Sequence, residues 1–168
     1  MMELSFVVDS HTDFEEQVSD GVDPYEVPAL FAKGKSLGFH RQLSDDEILV
    51  TADTVVICDG RIMGKPHSAE AACEMLRFLS GKTHDVVSAV CVRSKSDFKL
   101  MSDTAHVTFK SLTDEEIEHY VAVYSPMDKA GGYGIQEWIG LIGITAIQGS
   151  FYTIMGLPTQ LLYHMLSD

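Results

Sequence analysis

The chain has 168 residues, 45% of them apolar, with 12 basic against 25 acidic side chains and a formal charge of −13. That length and apolar fraction suit a single well-cored domain over 1–168 and exclude a disordered chain. The acidic surplus argues against a nucleic-acid polymer as partner, because a polyanion needs a basic surface.

No apolar run approaches the ~20 residues of a membrane span, and the N-terminus lacks the basic region and long apolar stretch of a signal peptide. The reading is a cytoplasmic protein with no membrane partner. Cys58, Cys73 and Cys91 are widely spaced in apolar surroundings without a C-x-x-C pattern, as reduced core residues are.

Phe6 to Val8 is a short strand candidate, followed by an acidic loop from Asp9 to Asp20. A helix is expected next, capped by Asp23 with Pro24 at its first position, showing Val27, Leu30 and Phe31 on one face and running to about Phe39. Ile48 to Ile57 is an apolar run that reads as a strand covered on both faces, and Asp59-Gly60 supplies a tight hairpin turn leading back to Gly64-Lys65-Pro66. Ser68 caps a second helix with Ala72, Met75, Leu76 and Leu79 at helical spacing, stopped by Gly81. Thr83 to Arg93 and Leu100 to Lys110 are strand-like runs joined by a polar turn, so they should pair antiparallel. A third helix follows the Thr113-x-x-Glu116 capping box, with Ile117, Tyr120, Val121 and Tyr124 on its packed face. Beyond the glycine-rich loop Ser125 to Gly134, a late hairpin from Gly143 to Ile154 turning at Gly149-Ser150 leads to a terminal helix ending near Leu166. This order of elements predicts an α/β fold with a mixed sheet.

Asp53 interrupts the apolar strand, and an ionised carboxylate there is costly unless a metal, a cation or hydrogen bonds compensate it. The plainer alternative from spacing alone is an aspartate that ends a strand and bonds local backbone. Four segments can converge on it: the acidic loop with Glu15 and Glu16, the first helix with Lys33 and Lys35, the hairpin with Lys65, and the later loop with Asp128, Lys129 and Gln136. Oxygen ligands suit Mg²⁺, lysines neutralise phosphate oxygens, and a carboxylate can deprotonate water for attack on phosphorus, so the set has the composition of a metal–triphosphate site. Each lysine taken alone is more often a solvated surface residue. Gly131-Gly132-Tyr133-Gly134 is neither a P-loop nor a dinucleotide fingerprint, and no G-x-S-x-G elbow supports a serine hydrolase.

Taken in order, Thr51-Ala52-Asp53-Thr54-Val55-Val56, Gly64-Lys65-Pro66, Leu79-Ser80-Gly81-Lys82-Thr83-His84, Asp128-Lys129-Ala130-Gly131 with Tyr133-Gly134-Ile135-Gln136, and Gly149-Ser150-Phe151-Tyr152 with Gly156-Leu157-Pro158 resemble the Maf family of nucleoside triphosphate pyrophosphatases, related in fold to the inosine triphosphate pyrophosphatases. The resemblance covers nearly the entire chain. It implies a mixed twisted sheet with flanking helices and a central cleft, and cleavage of a nucleoside triphosphate substrate to the monophosphate and pyrophosphate with a divalent metal, Mg or Mn.

Under the resemblance Asp53 matches the proton acceptor. Thr54 and Gln136 match positions tied to substrate choice in the branch acting on dTTP and UTP, with house-cleaning of modified pyrimidine nucleotides as a role. Lys35, Lys65 and Lys129 match lysines near the triphosphate, and Glu16 and Asp53 match metal-facing carboxylates. The Gln136 amide offers both donor and acceptor to a pyrimidine N3–H and carbonyl.

Family members open with a strand and helix carrying a Ser-x-Ser-Pro-Arg-Arg signature that this chain, entering at Leu4-Ser5-Phe6, does not contain. The expectation is a first strand and helix missing, about 20 residues by typical element lengths. With them go bidentate arginine contacts to phosphate. That absence favours the alternative of a non-catalytic nucleotide-binding or cell-division regulatory protein, whereas Asp53, Lys65 and Gln136 favour the enzyme. Exposed sheet edges suit self-association, so a homodimer is a further expectation.

Overall fold

β-Branched and apolar residues concentrate in two long segments that build the centre of the sheet: β1, Leu49–Cys58, and β3, Thr83–Arg93, paired antiparallel from Leu49↔Arg93 to Ile57↔Asp85. The computed structural model describes residues 5–18 and 21–167; Leu4, and Asp20 at the end of the predicted acidic loop, lie outside them. β2, Arg61–Met63, returns from β1 through Asp59-Gly60, both at positive φ (51° and 74°), the backbone a two-residue hairpin turn requires. β4, Phe98–Phe109, and β5, Ile144–Gln148, complete a five-stranded sheet in the order β2-β1-β3-β4-β5. Every ladder among the described residues is antiparallel, a refinement of the mixed sheet expected from the order of elements.

Alternation along β1 sends its side chains to two different layers. Val55 and Ile57, with Val87 of β3, pack beneath Val27 and Phe31 of α1, Val27–Leu37. On the opposite face Val56, Cys58, Val86 and Val107 meet Leu76 and Leu79 of α2, Ala69–Leu79, and Ile117 and Tyr120 of α3, Asp114–Tyr124. Ser68 caps α2 through the Ala71 N–H, and Thr113 and Glu116 form the reciprocal box at the start of α3, as their spacing predicts. A short helix α4, Trp138–Gly143, a single turn α5, Phe151–Ile154, and the terminal α6, Thr159–Ser167, finish the chain. No described helix is long and apolar enough to cross a membrane.

The structure departs from the sequence reading at four places. Phe6–Val8 forms no strand: the three side chains are 82%, 92% and 81% exposed, and strand propensity without a neighbouring strand builds nothing. The first helix begins at Val27 with Pro28 in its first turn, while Asp23 caps the preceding turn by accepting from the Tyr25 N–H, 3.0 Å away. The late hairpin is absent: after β5 the chain turns at Gly149 and coils into α5, where the Thr153 hydroxyl donates to Asp103 and the Thr153 carbonyl accepts from Ser88. These buried polar bonds outweigh the β-propensity of Phe151–Ile154. Gly149 is required there, because its φ is +111° and a Cβ would lie 2.9 Å from the Ala105 Cα. α4 was not foreseen, since a six-residue segment with two glycines and no side-chain cap carries no helical signal.

Candidate active site

β2 covers β1 only at Val56–Cys58, so among the described residues the edge of β1 from Leu49 to Val55 has no strand beside it. Asp53 and Thr54 lie on this open stretch, on opposite faces of the strand, and both line a cleft of about 410 Å³. Lys65, Asp128, Lys129, Gln136 and Gly156 complete its wall. The Gly131 N–H donates to the Gly64 carbonyl at 3.1 Å, which ties the Asp128–Gln136 loop to the segment bearing Lys65.

Packing and backbone conformation account for Gly131 in that loop. Gly131 has φ +71°, and a Cβ on it would sit 3.1 Å from a Val56 methyl on the floor of the cleft. Gly131→Ala is expected to destabilise the fold by about 1–3 kcal/mol through backbone strain and overpacking, read as a lower thermal midpoint.

On the α1 face, Lys35 Nζ lies 2.5 Å from Asp53 Oδ1 and 2.7 Å from Glu16 Oε1. α1 presents Lys35 to β1 because Val27 and Phe31 seat the helix on the sheet, while the Thr51 hydroxyl donates to the Ala32 carbonyl at 2.6 Å. Asp53 is 10% exposed in its side chain, and burial raises its pKa above the ordinary 3.8, with the Lys35 hydrogen bond opposing the rise. Burial also works to deprotonate Lys35, but the hydrogen bonds it donates to Asp53 and Glu16 outweigh this and hold the ammonium charged. Glu16, more exposed, is lowered by its hydrogen bond to Lys35. The carboxylate found in an apolar strand therefore has its compensation in a lysine 18 positions earlier.

Glu16 and Asp53 converge on one cationic point, and their hard oxygens suit Mg²⁺ or Mn²⁺ as well as an ammonium. No group of three or more His, Cys, Asp or Glu that could hold an ion occurs among the described residues, so a divalent ion here would complete its shell with phosphate oxygens and water.

Two residues predicted to converge do not. Lys33 Nζ lies 4.8 Å from the ring centroid of Phe98 and is absent from the cleft, and exposed Glu15 bonds Gln17. Lys33 is two residues from Lys35 on a helix, where such a step changes face. Lys129 sits on the cleft wall, 2.8 Å from Asp128 and 3.4 Å from Glu137. Asp128 stands in first place in keeping the Lys129 pKa raised.

Sequence reasoning missed Glu137, which holds Lys129 and accepts from the Tyr120 hydroxyl, and missed Ser88 and Thr153, which lie behind Thr54. An acidic residue directly after Gln136 was the available signal for the first. Small hydroxyls inside apolar runs gave none for the others. Tyr133, also in the cleft wall, bonds His84 Nε2 at 2.7 Å; burial lowers the His84 pKa to about 4, so this histidine is a neutral core residue at ordinary pH.

The family model of the Maf-like proteins matches residues 1–168. Among curated relatives, a dTTP/UTP pyrophosphatase of Porphyromonas gingivalis is 46% identical over 99% of this chain and 85% of its own length. Proteins of the same name from Phocaeicola vulgatus and Flavobacterium johnsoniae are 45% and 40% identical, over 95% and 96% of this chain and 83% and 87% of theirs. Identity of this extent over nearly the whole chain accompanies a shared fold, and the chain belongs to the Maf-like protein family.

Proposed function

We propose that this chain is a nucleoside triphosphate pyrophosphatase acting on dTTP and UTP, giving the nucleoside monophosphate and pyrophosphate. The single observation that carries the proposal is the buried carboxylate of Asp53, raised in pKa and set on the open edge of β1 in the wall of a cleft that also holds Lys65 and Lys129. The similarity to relatives named dTTP/UTP pyrophosphatase supports the substrate class.

In the proposed reaction Asp53 accepts a proton from water as the water oxygen bonds to a phosphorus of the α–β bridge. The bridging P–O bond on that phosphorus breaks, and its electron pair leaves with the departing phosphate group. Lys65 and Lys129 neutralise phosphate oxygens as point charges, while Lys35 keeps Asp53 oriented and ionised. Glu16 and Asp53 are the residues that would hold a divalent cation, which when bound screens the triphosphate charge from the acidic chain. Thr54 and Gln136 face the nucleoside end of the substrate.

Pyrophosphate release from dTTP and UTP with Mg²⁺ or Mn²⁺ tests the proposal, and chelation by EDTA is expected to stop it. Thermal stabilisation by these nucleotides without turnover would instead indicate a non-catalytic nucleotide-binding protein.

A further inference from the structure

Thr54 of β1 and Ser88 of β3 are direct cross-strand partners, so their side chains share the face turned toward α5. Their hydroxyl oxygens are 2.6 Å apart. Ser88 is fully buried and lies 2.7 Å from the Thr153 carbonyl, while Thr54, on the cleft wall, lies 3.3 Å from the Gly156 carbonyl. Thr153, itself fully buried, is fastened to Asp103 through its own hydroxyl.

Two hydroxyl protons are available to this group, and both carbonyls can only accept. In one arrangement Ser88 donates to the Thr153 carbonyl and Thr54 donates to Ser88. In the other Thr54 donates to the Gly156 carbonyl and Ser88 donates to Thr54. The distances favour the first. In both arrangements the Thr54 proton is consumed inside the protein; directing it into the cleft would require Ser88 to donate to Thr54 across the 2.6 Å contact and so give up its 2.7 Å bond to the Thr153 carbonyl.

We propose that Ser88 acts as a positioning residue that fixes the polarity of the base subsite: it makes Thr54 Oγ1 an acceptor, able to read the imide N3–H of a 2,4-dioxopyrimidine such as uracil or thymine. Cytosine, whose N3 bears a lone pair and no proton, meets an acceptor there and is rejected. Gln136 cannot impose this choice alone. It is exposed, and its amide can rotate to offer either a donor or an acceptor, matching either base. The Thr54 hydroxyl cannot reverse without depriving the Thr153 carbonyl of the Ser88 proton, a shorter hydrogen bond than the one this carbonyl accepts from the Gly156 N–H.

The inference rests on the proposed pyrimidine nucleotide substrate and deepens it. Its test is calorimetric binding of the α,β-methylene analogues of UTP and CTP with Mg²⁺, which needs no turnover. Wild type is expected to prefer the uracil analogue by at least about 10-fold, the scale of one satisfied against one mismatched hydrogen bond. Thr54→Val lowers the ratio by weakening uracil binding, Thr54→Ser preserves it, and Ser88→Ala lowers it by freeing the Thr54 proton to serve cytosine N3. A ratio unchanged from wild type in Thr54→Val or Ser88→Ala overturns the inference. Melting curves are taken first; if Ser88→Ala does not melt cooperatively, Thr54→Val at its partly exposed position decides. Equal binding of both analogues to wild type overturns this inference alone, whereas no binding of either overturns the proposed substrate with it.

Discussion

Asp53→Asn is expected to lower kcat for UTP and dTTP by about 10²–10⁴-fold, the range supplied by a positioned general base, while the fold persists. The amide keeps the size and one acceptor oxygen of the carboxylate, which Lys35 can still meet, but it cannot take a proton from water. Nucleotide binding should change far less than turnover. A steady-state comparison with thermal melting of both proteins checks the two halves together; retention of wild-type kcat in a folded Asp53→Asn protein removes the role assigned to Asp53.

The second large effect is Lys35→Met. Lys35 stands between two carboxylates, at 2.5 Å from Asp53 and 2.7 Å from Glu16. Removing one member of a buried pair leaves the other uncompensated, which costs 3–5 kcal/mol when burial is complete, so about 2 kcal/mol is expected for this partly exposed lysine. The pH profile supplies the more specific readout. Asp53 works as a base only when ionised, and its pKa already lies above the ordinary value because of burial, with Lys35 pulling it down. Without Lys35 the pKa rises further, and the acid limb of kcat/KM moves to higher pH. Glu16 acts in the opposite sense on Asp53, so Glu16→Gln should move the same limb to lower pH. Opposite displacements in the two variants are the signature; displacements of the same sign contradict this electrostatic account. A double variant, Lys35→Met with Asp53→Asn, should recover part of the stability lost in Lys35→Met, because no uncompensated charge then remains at Asp53.

Local chemistry was legible where one short segment decides the outcome. Ser68 and the Thr113–Glu116 box start their helices as expected, and Asp59-Gly60 turns the hairpin at the predicted place. Asp53 was legible as an anomaly, a charge in an apolar strand, but its partner was not. Lys33 and Lys35 look equivalent in the sequence, and only the seating of α1 on β1 and β3 separates a lysine on an aromatic ring from one on two carboxylates. Phe6–Val8 and the expected return strand after Gly149 failed for different reasons: the first has no strand beside it, and the second is held as a helical turn by the buried bonds of Thr153 to Ser88 and Asp103. The hydroxyl group of Thr54, Ser88 and Thr153 was invisible because three small residues from three separate elements acquire meaning only once the register of β1 with β3 places them together.

In the proposed function the buried Asp53 carboxylate and the lysine-lined cleft beside it split one anhydride bond of a pyrimidine nucleoside triphosphate. Phosphorus NMR of UTP incubated with the wild-type chain and Mg²⁺ identifies the bond that breaks. Equimolar UMP and pyrophosphate are the expected products, and accumulation of UDP with orthophosphate contradicts the account.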